Sequence, residues 1–377
     1  MKLTALYKSF TNSERTSGVV LICCTIVSLT TTNLFPAYLR LWQTELAGQP
    51  ITHWINDGLM TIFFLLIGLE LEREVYKGEL STLKKALLPA FAALGGMITP
   101  ALIYFLINNG NESLSGIGIP TATDIAFALA VLSLLGKRVP LSLKIFVTAF
   151  AVMDDLGAII IIAIFYTSTL NFQALALAFG ILSILFLFNR LKINAAWPYL
   201  VGGTAMWFCM LNSGIHATIT GVLVAFAIPF GDGSEHTLSY RLQKFLHRPV
   251  TFIILPLFAL ANTSITINYE VYQQFGNAVS MGILVGLCIG KPIGIFTFSY
   301  ATVKLRLAVL SQDITWKHIF GAGLLGGVGF TMSIFISLLA FHDETLVVHA
   351  KISILVASLL SGVVGFFYLK SVLYKTR

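Results

Sequence analysis

Residues 151–165 read AVMDDLGAIIIIAIF, with two adjacent carboxylates, Asp154 and Asp155, in an apolar run that has no lysine or arginine beside them. The rest of the chain decides how that run is read. Of 377 residues, 56% are hydrophobic and 11% charged, whereas soluble domains carry about 25% charged residues. Mean hydropathy is +0.86. Apolar runs of roughly 18 residues or more, enough to cross a bilayer as a helix, recur along the whole length. Backbone groups in lipid must be satisfied within their own segment, so the spans are helices. A β-barrel would show alternating segments of roughly ten residues, and these are absent. The expected fold is therefore an all-α polytopic membrane protein.

About twelve spans are expected, beginning near residues 17, 52, 86, 117, 142, 172, 196, 213, 250, 278, 319 and 347. An even number puts both termini on one side. Of the 24 Lys and Arg residues, all but Arg40, Lys291 and Lys351 fall at the termini or in the even-numbered loops. The bias of basic residues toward the inner side then places both termini in the cytoplasm. The net charge of +7 thus reflects topology, and no nucleic-acid partner is expected. Residues 1–377 read as a single integral membrane domain, with one longer polar connection at about 230–249, GDGSEHTLSYRLQKFLHRPV. Cys23, Cys24, Cys209 and Cys288 lie in apolar segments without a C-x-x-C pair and read as small hydrophobes. No cleavage site clearly follows the first apolar run, which reads as a retained helix.

Removing loop charges leaves Asp57, Asp124, Asp154, Asp155, Lys291 and Lys351. A mid-span Asp or Lys costs about 2.5–3.5 kcal/mol on insertion scales, and residues that costly usually mark an ion or proton path. Asp154 and Asp155 point about 100° apart on a helix, so one can face a cation while the other faces a partner helix. Lys291, in IGKPIGIF, is the deeply placed base available as that partner. A structural strut would need only one acid. Asp57 reads either as a site carboxylate or as an interfacial residue near the headgroups. Lys351 lies near the outer end of the last span, can snorkel, and reads as structural.

Two spans carry interruptions. In GIPTATDIAFALAVL, Pro120 removes a backbone donor and Thr121 and Thr123 compete for backbone bonds, so a break is expected just before Asp124. In GAGLLGGVGFTMSIF, Gly321, Gly323, Gly326, Gly327 and Gly329 cluster before Thr331 and Ser333. Such glycines alone could mean close helix packing. Position favours a break, since spans 3–5 and 10–12 are triplets that start on opposite faces, each with its middle member interrupted. Spans 4 and 11 would then cross, with Asp124 and Lys291 neutralising the exposed helix ends.

The stretches WINDGLMTIFFLLIGLE, GIPTATDIAFAL, DDLGAIIIIAIFY, SGIHATITGV, GKPIGI and GFTMSIFI, in this order over nearly the whole chain, resemble the NhaA-type sodium/proton antiporters. That family is itself a standard example of inverted-repeat transporters, so the repeat reading is not independent of it. The resemblance implies export of Na⁺ or Li⁺ for more than one H⁺, in pH homeostasis at the bacterial inner membrane. It implies that Asp155 binds the transported cation, with Asp154 beside it and paired with Lys291, and with Thr123 and Asp124 at the broken helix. Asp57 matches a carboxylate on the outward pathway; Glu70, Glu74 and His216 match residues of the pH response. No cofactor is implied beyond the transported ions, and the partners are monovalent cations, protons, lipid and a second copy of the chain. Two departures stand out. Gln243 replaces a usual glutamate, and the 33–56 connection is short and shows no evident two-strand pattern, which puts the family's hairpin-mediated dimer in question.

The mechanism expected from these residues is competition of Na⁺ and H⁺ for the same oxygens, with alternating access and unequal charge exchange. A channel would need a repeated filter. An intramembrane aspartyl protease would place its acids on separate spans, and no H-E-x-x-H or G-x-S-x-G motif occurs. An enzyme is not expected.

Overall fold

The computed structural model describes residues 2–167, 169–267 and 276–375, and these are almost wholly helical. In chain order the helices are α1 (Lys2–Leu34), α2 (Ala37–Gln43), α3 (Ile51–Tyr76), α4 (Leu83–Asn108), α5 (Ile125–Leu134), α6 (Leu141–Phe165), α7 (Phe172–Arg190), α8 (Trp197–Leu211) and α9 (Ile219–Ala227). They continue with α10 (Leu238–Asn262), α11 (Ala278–Lys304), α12 (Trp316–Gly326), α13 (Phe330–Ala340) and α14 (Glu344–Lys375). Of the basic residues used for orientation, Arg377 lies outside the described residues, and Lys2, Lys8, Arg15, Lys84 and Lys375 are described by their backbone alone.

Among the described residues, eight single helices are long and apolar enough to cross a membrane. Two bent pairs raise this to ten: 113–121 with α5, at 41°, and α12 with α13, at 46°. The two remaining expected spans are α8, of 15 residues, and α9, of 9. Both are shorter than the roughly 20 residues of an unassisted span. Helix α9 starts only at Ile219 because the chain turns first at Asn212–Gly214, where Gly214 has φ +86° and the Ser213 carbonyl accepts the Asn171 N–H at 2.9 Å.

The chain forms two compact units, one of Met1–Pro36, Thr82–Ala158 and Asn262–Arg377, the other of Ala37–Ser81 and Ile159–Ala261. In the first, α4 and α11 pack closely along glycines. A Cβ added at Gly294 would lie 2.7 Å from the Gly95 carbonyl carbon and 2.7 Å from Thr99 Oγ1. Small residues let such backbones approach where lipid offers no hydrophobic drive between helices. Around this contact Ala92, Val147, Phe150, Ile295, Ala322 and Leu325 form a buried core. In the second unit α9 lies on α3, and a Cβ at Gly221 would stand 2.7 Å from the Leu65 nitrogen.

Among the described residues, three helices contain a wide π turn: α3 at Trp54–Leu59, α10 at Val250–Ile254 and α11 at Gly286–Gly290. The second and third immediately precede Leu255-Pro256 and Lys291-Pro292. Proline lacks the N–H and crowds the carbonyl four residues back, which a widened turn accommodates.

The 33–56 connection, whose sequence shows no evident two-strand pattern, does hold a hairpin. Glu45–Leu46 (β1) and Gln49–Pro50 (β2) pair antiparallel, Glu45 with Pro50 and Leu46 with Gln49. Ala47 and Gly48 form the turn with φ +55° and +79°, the doubly left-handed geometry that suits a two-residue hairpin. Strands of two residues are too short to show alternation in sequence, and alanine is not a turn signal.

The packing predicts a contrast. Gly294→Val should lower the thermal stability of the detergent-purified protein by about 1–3 kcal/mol, as overpacking does. Gly180→Ala, on α7 with nothing within 4 Å of the added carbon, should change it by less than about 1 kcal/mol.

Candidate functional site

The site of the first unit is built where two spans break. The 3-10 helix Glu112–Thr121 gives way to extended backbone at Ala122, and Asp124, also extended, caps α5. The second break lies between Gly326 and Phe330. The two breaks bond directly, Asp124 N–H donating to the Val328 carbonyl at 2.7 Å, and Ser333 Oγ donates to the Ile119 carbonyl at 2.8 Å. Glycine is required at the crossing. A Cβ at Gly327 would stand 2.6 Å from Ser361 Oγ, and one at Gly329 would stand 3.0 Å from Ser333 Cβ.

One carboxylate serves two helix N-termini. Asp124 Oδ1 accepts the Phe127 N–H of α5 at 2.9 Å. Its Oδ2 accepts the Thr331 N–H of α13 at 3.1 Å and the Thr331 hydroxyl at 2.5 Å. Orphan N–H groups and the positive ends of two dipoles converge on this negative charge. At the opposite pole, Thr123 Oγ1 donates to the Gly326 carbonyl that ends α12, at 2.8 Å, and accepts from Lys291 Nζ. Asp124 therefore neutralises both N-terminal ends, while Lys291 reaches the negative end of α12 only through Thr123.

Lys291 Nζ also bonds Asp154 Oδ2 at 2.5 Å. Lys291, Asp154 and Thr123 are all 0% exposed and Asp155 is 1% exposed. The ammonium lies in the field of Asp155 as well. Asp154 thus takes the partner-facing role and Asp155 the neighbouring direction on α6. The structure brings together Thr123, Asp124, Asp154, Asp155 and Lys291, and adds Thr331. Among the described residues no three His, Cys, Asp or Glu side chains form a metal-holding group.

The other four expected residues lie in the second unit, in two places. Asp57 sits in the π turn of α3, with Oδ2 2.9 Å from His53 Nδ1, and it lies in the field of His216. Glu70 is 13 positions further along α3, about 20 Å at 1.5 Å per residue, with Oε1 3.8 Å from His247 Nδ1. Glu74 Oε2 accepts the Glu79 N–H at 3.0 Å. His216 therefore stands with Asp57, apart from Glu70 and Glu74. Arg73 Nη1 donates to Gln243 Oε1 at 3.1 Å, so the glutamine keeps an acceptor at that position and removes the charge. Sequence reasoning missed Glu72, which is 4% exposed and accepts the Ser239 hydroxyl at 3.4 Å. Its signal was there in ELERE: two residues from Glu70 and from Glu74, it points some 200° away from each.

Residues 8–369 match the sequence model of the family described as Na+/H+ antiporter 1. The chain belongs to that family. It is 58% identical over 378 residues to a Na(+)/H(+) antiporter NhaA of Flavobacterium psychrophilum, covering 100% of this chain and 98% of the relative. A relative of the same name from Cytophaga hutchinsonii is 54% identical, covering 99% and 97%. One from Vibrio parahaemolyticus is 46% identical, covering 95% of each. The antiporter family and the apolar helices together make this chain an integral membrane protein.

The buried pair carries a stability prediction. Removing one partner leaves an uncompensated charge, which costs about 3–5 kcal/mol, whereas neutral replacement of both is tolerated. Lys291→Met should destabilise the purified antiporter by that order in detergent unfolding, and adding Asp154→Asn should recover most of the loss.

Proposed function

We propose that the chain exports Na⁺ or Li⁺ in exchange for H⁺ by alternating access at the carboxylates of α6. The observation that carries this reading is the set of Asp154, Asp155, Thr123 and Lys291 buried where two interrupted helices cross. Oxygen ligands suit small hard cations. Lys291 holds Asp154, so Asp155 is assigned the transported cation, with Asp154 and the Thr123 hydroxyl beside it. Protons compete for the same oxygens. Transit only in the cation-loaded or protonated state gives exchange without leak, and activity falls as cytoplasmic protonation removes the ligand.

Exchange of one cation for two protons moves charge inward, and each net charge gains about 2.3 kcal/mol per 100 mV. The proposal places the protein in the bacterial inner membrane with both termini in the cytoplasm, as the distribution of basic residues supports. Asp57 is assigned to the cation pathway and Glu70, Glu74 and His216 to the pH response. The family is one of transporters, and no enzymatic activity is assigned.

In proteoliposomes with an acid interior, added Na⁺ or Li⁺ should alkalinise the lumen, and Asp155→Asn should abolish the response. A response to K⁺ alone would reassign the substrate. Imposing a membrane potential should change the rate; indifference to it would exclude unequal exchange. Lys291→Ala should alter the pH profile, and an unaltered profile would remove Lys291 from the titrating network.

A further inference from the structure

Helix α12 begins with a histidine where a capping box normally places glutamate or glutamine, three residues after Thr315 at the N-cap. His318 Nδ1 accepts the Thr315 N–H at 3.0 Å and lies 3.1 Å from Thr315 Oγ1. The side chain is 3% exposed, and among the described residues its buried Nε2 has no hydrogen-bond partner. A backbone N–H can only donate, so Nδ1 must present its lone pair and the ring proton sits on Nε2. The cap therefore exists only with a neutral ring.

We propose that His318 is a proton-sensitive positioning residue of the exchange site, holding the N-terminal turn of α12 while its ring is neutral and releasing it on protonation. The inference rests on the exchange reading above. An imidazolium carries a proton on both nitrogens. The Thr315 hydroxyl can turn to accept from it, but the Thr315 N–H then faces a donor and is orphaned. Histidine is the side chain whose charge ordinarily changes between about pH 5 and 8.

The charges around the ring are few. Helix α12 packs on α5, α11 and α14. Lys317 neighbours His318 on its own helix, Cys288, Lys291, Tyr300 and Lys304 lie on α11, and Glu344, His349, Lys351, Tyr368, Lys370 and Tyr374 lie on α14. Among the described residues, the charge that acts on the ring is that of Asp313. Hydroxyls of Ser142 and Ser311 donate to Asp313 at 2.9 and 2.8 Å and hold its carboxyl below the usual range. Asp313 thus stays ionised while the histidine titrates, and offers the imidazolium an opposite charge.

Helix α12 connects this cap to the site. Eight residues, about 12 Å of helix, separate His318 from Gly326, whose carbonyl accepts Thr123 Oγ1. Midway, a Cβ at Gly323 would stand 3.0 Å from Pro292 Cα, the residue after Lys291. On this proposal a shift of the first turn is passed along α12 to Thr123 and Lys291.

His318→Gln separates titration from capping, because the amide oxygen can still accept but does not protonate at these pH values. Na⁺-driven alkalinisation of proteoliposomes, measured across pH, should show the Gln variant matching wild type at alkaline pH, with its half-activity pH shifted downward. His318→Ala, uncapped at every pH, should be slower than wild type at alkaline pH and converge with it on acidification. A Gln profile that overlays wild type overturns the positioning role. Amide hydrogen exchange at residues 315–320 of the detergent-purified chain, corrected for intrinsic rates, needs no transport. Protection should fall on acidification in wild type and persist in the Gln variant; equal behaviour overturns the proton-sensitive cap. A wild-type chain that moves no Na⁺ defeats the exchange reading, while the amide readout still decides the cap.

Discussion

A helix cut in the middle of a bilayer leaves N–H groups at one end and carbonyls at the other, with no water to satisfy them. The first unit depends on how that constraint is met. Asp124 accepts from the N-terminal turns of α5 and α13, and Thr123 closes the carbonyl end of α12. Adjacent residues on extended backbone point to opposite sides, so one short stretch reaches both poles of the crossing. Had the chain stayed helical there, Thr123 and Asp124 would point about 100° apart along one rod and could not divide the work.

The same arrangement explains the buried lysine. Lys291 follows a π turn on a helix pressed against α4 through glycine. That closeness puts the ammonium within reach of Thr123 and Asp154 together. Its charge opposes Asp154 and, through a hydroxyl, the negative end of α12. Two acids on α6 then have unlike surroundings although they are neighbours in sequence, as the proposed division between a partner-holding and a cation-binding carboxylate requires. In the second unit, Glu70, Glu72 and Glu74 likewise meet different neighbours, a histidine, a serine hydroxyl and a backbone N–H.

Much of this was legible in the chain itself. Charges inside apolar runs are so costly that Asp124, Asp154, Asp155 and Lys291 stand out by subtraction. Pro120 and the glycines up to Gly329 mark both breaks, since one lacks a donor and the others lack a Cβ. The hairpin escaped because two-residue strands carry no periodicity. Helix α9 starts late because a left-handed Gly214 is a matter of backbone angle. His216 was grouped with Glu70 and Glu74 by resemblance, and the helical rise between Asp57 and Glu70 separates them.

By itself, then, the sequence determined the class of fold, the number of apolar segments within the limits of α8 and α9, and which ionisable residues lipid would not tolerate without a role. Those follow from transfer free energies and helix length, which are sums over local residues. Only the tertiary structure decided that Lys291 takes Asp154, that Asp124 serves two helices at once, and that Thr123 links the ammonium to α12. Such pairings join residues 137–207 positions apart. Over that distance the partner of a buried charge is chosen by helix packing, and no local rule of composition or spacing encodes it.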